Sequence, residues 1–226
     1  MCGRFTRHSS LIELSKVVGN VSYVNEEELS PSFNVAPSQK SLVLRYLETG
    51  LVATTMVWGF QPYWLRDTRA HATINARSET VHEKPMFRNS FHRKRCLIFC
   101  DGYFEWQKTA TGAKQAHYIH AFNKEPFLLA GLWNKNEQFT DKQIESFVIL
   151  TASSNQSVSH IHDRMPVRLN TDERMSWLDP NINDTKSLRQ LLNTSGSPWK
   201  SYPVSSYVNN PRNNSIRCIN PERANN

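Results

Sequence analysis

Apolar residues in this chain fall into short runs bounded by Gly, Pro, Asn and Ser, rather than into long helical stripes. Runs of this length, rich in Val, Ile, Leu and Phe, predict strands at 42–47, 51–60, 95–100, 117–122, 127–133, 146–151 and 166–169. Helical spacing is confined to three short stretches, 11–18, 172–178 and 185–192. The first of these carries both end signals: Ser10 and Glu13 fit a capping box, and Gly19 supplies a stop. Strands follow strands without the alternating helices of a parallel sheet, so the expected fold is α+β. It is a β-rich domain with a mainly antiparallel sheet or barrel-like core and a few short helices. At 226 residues one core suffices, and 1–226 reads as a single domain without internal repeats. The tail from about 209 has seven asparagines in 18 residues and is expected to be partly irregular.

Composition narrows the setting. Hydrophobic residues make up 38% of the chain, yet no apolar run nears the roughly 20 residues that cross a bilayer. The start, Met1-Cys2-Gly3-Arg4, lacks a secretory apolar stretch, so a cytoplasmic protein without membrane association is expected. Cys2, Cys96, Cys100 and Cys218 show no CxxC pairing. Cys96 and Cys100 lie in one predicted strand, where four steps separate them by roughly 13 Å, too far for one tetrahedral zinc. Buried thiols are therefore expected, with no metal and no cofactor. The net charge of +7 suits a polyanionic partner. Residues 66–95 carry eight Lys/Arg against three Asp/Glu, with Trp64, Phe87 and Phe91 in or beside them. That mixture suits single-stranded nucleic acid, where cations follow phosphates and rings stack on bases; a solvated basic face fits equally well.

Candidate chemistry is scattered. Removal of Met1 would leave Cys2 with a free α-amine and a thiol on one framework, a combination that traps aldehydes as an imine and then as a five-membered thiazolidine. Glu105, in Asp101-Gly102-Tyr103-Phe104-Glu105-Trp106, follows an apolar strand among aromatics that can desolvate it and raise its pKa; a salt-bridged strand end is the plainer reading. His160 and His162 are expected to share one face of an extended segment beside Asp163 and Arg164. Asn75-Ala76-Arg77 joins an amide for a sugar oxygen to an arginine for a phosphate. Asn34-Val35-Ala36-Pro37 and Trp58-Gly59-Phe60-Gln61-Pro62-Tyr63-Trp64 read as rigid loops.

Taken in order, Met1-Cys2-Gly3-Arg4, Asn34-Val35-Ala36-Pro37, Asn75-Ala76-Arg77, Phe104-Glu105-Trp106, Ile161-His162-Asp163-Arg164-Met165-Pro166 and Val204-Ser205-Ser206-Tyr207-Val208-Asn209 span nearly the whole chain. In this set the chain resembles the SRAP (SOS response-associated peptidase) family, the abasic-site processing proteins. The resemblance implies a compact β-rich fold with a basic cleft for single-stranded DNA containing abasic sites. It also implies a covalent thiazolidine link between the mature amino-terminal cysteine and the lesion, one that shields the strand from cleavage. Carried over by residue, Cys2 is the nucleophile, Asn75 holds the opened sugar, and Glu105 and His162 transfer protons. Arg4, Arg77 and Arg164 are phosphate-facing cations, Trp64 and the Pro37 loop shape the strand's path, and Asn34 and Thr151 are further DNA contacts. His160 receives no role, and Leu65 stands where some relatives place a second tryptophan. Crosslink reversal and a lyase side reaction fit the same imine. The expected protein is a monomer, associated with the nucleoid when bound to DNA and able to meet the replication machinery.

Two rival readings remain open at this level. A thiol peptidase, at minimum one removing its own Met1, fits a Cys/His/Glu set, although an amino-terminal cysteine lacks the surrounding oxyanion hole of a protease. A non-covalent reader of single-stranded or modified DNA fits the basic and aromatic content alone.

Overall fold

The computed structural model describes all residues except 1, 20, 24–29, 66–71, 138–143, 194–197 and 223–226. Thirteen strands and four helices follow one another in the described chain: β1 Arg4–Arg7, α1 Leu11–Val18, β2 Ser22–Tyr23, β3 Ser32–Val35, β4 Lys40–Leu47, β5 Gly50–Trp58, β6 Asn75–Arg77, α2 Pro85–Arg93, β7 Arg95–Cys100, β8 Gly102–Lys108, β9 Lys114–Ala121, β10 Phe127–Asn136, β11 Ile144–Ser153, β12 Arg164–Pro166, α3 Thr171–Leu178, α4 Thr185–Leu191 and β13 Trp199–Pro203. They form a five-stranded sheet in the order β13-β9-β8-β1-β3 and a larger one in the order β12-β11-β10-β7-β4-β5-β2. Most pairings are antiparallel, as α+β architecture requires. In the larger sheet β5 also pairs in parallel with β11 through Ser146↔Val57 and Phe147↔Trp58. That contact returns the path β11-β10-β7-β4-β5 to its start, so these five strands close on themselves and leave no open edge between them.

Strand alternation divides the core in two. On β7, Cys96, Ile98 and Cys100 point into a cluster with Phe5, Val43, Trp58, Tyr103, Phe127, Leu129, Phe147 and Ile149, which joins the closed ring to the inner face of the smaller sheet. Leu97 and Phe99 of the same strand point the other way, against Leu14, Phe87, Phe91, Trp177 and Leu188 of the helices. Because both faces are covered, β7 is buried at all six positions and reads in the sequence as an unbroken run. A third cluster lies on the outer face of the smaller sheet, where Phe104, Ala116 and Tyr118 are covered by Val204, Val208 and Cys218. The tail is therefore a cover over β8 and β9, built from 3-10 turns at Ser206–Asn209 and Ile216–Ile219. Its asparagines serve backbone groups: Asn214 Oδ1 accepts the Phe33 N–H at 2.7 Å, and Asn213 donates to the Tyr207 carbonyl at 2.7 Å.

The capping box is present on α1, where Glu13 accepts the Ser10 N–H at 2.7 Å, and Asn170 with Glu173 repeats the device on α3. The sequence reading missed α2, although Pro85 at its first turn and the spacing of Phe87, Ser90 and Phe91 on one face mark it. This helix corrects the reading of the basic stretch. Phe87 and Phe91 are not stacking platforms; they are buried at 7% and 0% exposure, in contact with Phe60 and Trp177. Arg95 is buried too, and it donates to the carbonyls of Phe91, His92, Trp177, Asp179 and Ile182. A single guanidinium thus serves orphan carbonyls at the ends of both α2 and α3.

Arg95→Met is expected to strip those carbonyls of their donor. At about 1–3 kcal/mol for each buried polar group left unpaired, the loss should exceed roughly 3 kcal/mol in urea unfolding. The exposed Arg88→Met in the same basic stretch should stay within about 0.5 kcal/mol. Equal effects of the two substitutions would refute the division of this segment into buried and solvent-facing cations.

Candidate active site

β1 enters between β3 and β8, with Phe5 opposite Val35 on one side and Arg4 opposite Phe104 on the other. This insertion carries Cys2 into the core, where it is fully buried. The amide of Asn75 donates to the Cys2 carbonyl at 2.8 Å, fixing the backbone at that end. Asn75 lies on β6, a strand that pairs in parallel with β11 through Asn75↔Ile149 and Arg77↔Thr151. The segment Asn75-Ala76-Arg77 is therefore held as a strand at the edge of β11. Asn75 Oδ1 is buried and has no hydrogen-bond partner among the described residues, which leaves an acceptor beside Cys2.

Glu105 sits on β8, one of the strands the sequence reading left unassigned, and it is 3% exposed. Alternation places Glu105 and Tyr103 on the inner face and Phe104 on the outer one. Burial pushes the Glu105 carboxyl above its ordinary range, and His162 opposes the shift. Burial likewise holds the Cys2 thiol well above the usual thiol range, and the charge of Glu105 pushes the same way. Desolvation thus favours the neutral form of both groups, and the thiol also feels the charge of Glu105.

His162 shares a cavity of about 560 Å³ with Glu105, Gln107, Lys108, Lys114 and His160. Residues 156–161 form turns, so His160 and His162 do not share a face of an extended segment as expected. The turn is fixed by Gln107, whose amide donates to the His160 carbonyl at 2.9 Å while its oxygen lies 3.1 Å from His117 Nε2. His162 Nδ1 is served in either protonation state: bare, it accepts the Arg164 N–H at 2.9 Å, and protonated, it meets the Asp163 carboxylate at 2.9 Å. Nothing in the sequence marked Gln107 beyond its place two residues after Glu105.

The residues expected to contact DNA divide into groups. Arg77 is exposed at the end of β6. Arg164 binds Glu79 through two bonds of 2.6 and 2.9 Å and also donates to Thr151 Oγ1 at 3.3 Å, so its guanidinium and the buried Thr151 are joined internally. Arg4 and Asn34 are tied to each other at 2.9 Å, and both reach the tail, Arg4 through the carbonyls of Val208 and Asn209 and Asn34 through those of Val208, Asn210 and Asn213. Asn34 lies on β3 rather than in a loop, and this pair locks the tail over the smaller sheet. Pro37 is exposed beside Ser38, whose φ of 71° makes the turn tight. Trp64 is 50% and Tyr63 56% exposed. Their loop is held from below by the amides of Asn134, donating to the Gln61 carbonyl, and Asn136, donating to those of Pro62 and Leu65. These two buried asparagines were not foreseen; polar residues in an otherwise apolar strand were the available signal.

Glu105→Gln tests the electrostatic reading. A carboxyl whose folded pKa is raised is equally protonated in both states at low pH, costs nothing there, and penalises folding increasingly as pH rises past its unfolded value near 4.3. The substitution should therefore leave Tm unchanged near pH 4 and raise it by a few degrees at pH 8, read by thermal melts across pH. A Tm gain that did not grow with pH would remove desolvation as the cause.

Residues 1–211 match the family model of SOS response associated peptidase (SRAP). Abasic site processing protein YoqW of Bacillus subtilis (strain 168) is 35% identical over 221 residues, covering 97% of this chain and 99% of its own. Abasic site processing protein YedK of Escherichia coli (strain K12) is 30% identical, over 98% of this chain and 100% of its own. A crystal structure of a protein from Bacteroides thetaiotaomicron superposes with a TM-score of 0.84 at 21% identity, covering 98% of this chain and 100% of that one, a likeness of fold. By sequence match over nearly its whole length, the chain belongs to the SOS response associated peptidase (SRAP) family.

Proposed function

We propose that this chain processes abasic sites in single-stranded DNA by covalent capture at Cys2. The observation that carries the reading is the convergence of Cys2, Asn75 and Glu105: the Cys2 carbonyl is fixed by Asn75 at 2.8 Å, and the thiol lies where the charge of a buried carboxyl is felt. The names of YoqW and YedK, both abasic site processing proteins, support the substrate.

Removal of Met1 frees the Cys2 α-amine, whose ordinary pKa near 7.7 leaves much of it neutral at physiological pH. The amine attacks C1′ of the ring-opened sugar, forming a C–N bond and a carbinolamine. Glu105, whose carboxyl burial shifts toward the protonated form, donates a proton to the departing hydroxyl, which leaves as water and gives the imine. The Cys2 sulfur then adds to the imine carbon, its proton passing through Glu105 to the imine nitrogen. Amine, thiol and aldehyde yield one thiazolidine and one water. Asn75 Oδ1 receives a sugar hydroxyl, and His162 exchanges protons between Glu105 and the cavity they share. Reversal runs the same steps backward, and β-elimination from the imine is the lyase side reaction. Exposed Arg77 steers the phosphates, while Tyr63 and Trp64 offer stacking surfaces to the bases.

Cys2→Ala should abolish the denaturation-stable adduct with abasic single-stranded DNA while sparing non-covalent binding. Cys2→Ser should keep borohydride-trappable imine and lose the stable product. A preparation retaining Met1, verified by intact mass, should bind DNA and form no adduct, because an amide nitrogen cannot make an imine. Crosslinking by that preparation at the normal rate would return the chain to a simple thiol nucleophile of the peptidase kind. Arg77→Ala should weaken intact and abasic strands alike, by roughly ten-fold or less at low salt, and flatten the salt dependence by about one phosphate contact. A loss confined to abasic DNA would make Arg77 a lesion reader instead.

A further inference from the structure

Tyr103 stands apart from the other buried tyrosine of the smaller sheet. Tyr118, on the outer face, has its hydroxyl 3.0 Å from Thr6 Oγ1. Tyr103, on the inner face and fully buried, has a hydroxyl with no hydrogen-bond partner among the described residues. A phenylalanine would fill the same space against Trp199, which meets the Tyr103 ring edge-on at 5.4 Å between centroids. A buried hydroxyl without a partner costs about 1–3 kcal/mol, so the fold as it stands would be better served by the ring alone.

What surrounds the hydroxyl gives it a use. Tyr103 and Glu105 are two residues apart on β8 and share its inner face, and Tyr103 lies opposite Phe5 of β1 in the same buried cluster as Cys2 and Cys100. The charges Tyr103 senses are, in order, those of Cys2, Glu105 and Cys100. Cys100 is already engaged, since its thiol donates to the Gly102 carbonyl at 3.1 Å. Among the described residues the Cys2 sulfur has only a long contact to the Arg4 carbonyl, at 3.9 Å. We propose that Tyr103 is a positioning residue for Cys2: its hydroxyl donates to the Cys2 sulfur once that sulfur takes on negative charge, and holds it on the side facing Glu105 for ring closure. Burial keeps the phenol protonated far above neutral pH, so it stays a donor wherever the enzyme works. The role deepens the capture reaction proposed above and rests on Cys2 being its reactive residue.

Tyr103→Phe, with Tyr118→Phe as control, separates this from packing. Thermal melts should show Tyr103→Phe as stable as the parent or more so. The rate at which methyl methanethiosulfonate modifies Cys2, followed by mass across pH, should shift to higher pH and fall roughly ten- to hundred-fold at pH 8, the size of one hydrogen bond to a charged group. With abasic single-stranded DNA, borohydride-trapped imine should form at the parental rate while the stable adduct lags by a similar factor. Tyr118→Phe should move neither. Parental rates and pH profile in Tyr103→Phe, or equal shifts in both variants, would overturn the proposal. The thiol profile needs no DNA, so failure of the parent to crosslink would sink the capture reaction while leaving the test of Tyr103 intact.

Discussion

The site depends on one insertion: β1 lies between β3 and β8, antiparallel to both. Without that pairing Cys2 would be an exposed terminal residue among many. With it, the backbone of residues 4–6 is held on both edges, and Cys2 is delivered beside Glu105 and within reach of Asn75. A strand with partners on both sides resists fraying far better than a free terminus, so Cys2 inherits the rigidity of the sheet. The Arg4–Asn34 pair adds a second tie, since Arg4 and Asn34 both bind the Val208 carbonyl and so couple β1 and β3 to the tail.

Burial sets the chemistry of what is delivered there. The same desolvation pushes both the Cys2 thiol and the Glu105 carboxyl toward their neutral forms. A thiol peptidase requires the opposite, a thiolate stabilised at rest by a neighbouring cation. In this structure the charged neighbour that acts most on Cys2 is Glu105, a carboxyl, which disfavours the thiolate. Burial and the neighbouring carboxyl thus both disfavour a resting thiolate at Cys2.

Positive charge is distributed by depth. Arg95 is taken up by carbonyls at two helix ends, Arg164 by Glu79, and Arg4 by Asn34 and the tail. Arg77 remains exposed at the end of β6, on the strand that supplies Asn75. The net charge of +7 thus overstates the cations that face solvent near Cys2, because several of them complete the fold.

By itself the sequence determined the α+β class, the capped α1, and most of the apolar strands, because capping boxes and short apolar runs act locally. Its ordered motifs also pointed to Cys2, Asn75, Glu105 and His162. It did not determine β1, β2, β3, β6, β8 or β13, nor α2. Those strands are short or polar at alternate positions, and their existence comes from partners distant in the chain, as when β6 forms only by lying along β11. Only the tertiary structure decided which basic and aromatic residues are available. Phe87 and Phe91 look like base-stacking rings until α2 turns them inward, and Arg4 looks like a free cation until the tail folds over it. Local spacing fixes what a side chain is near in sequence, whereas desolvation and hydrogen-bond partners depend on which strands meet, and these decide its chemistry.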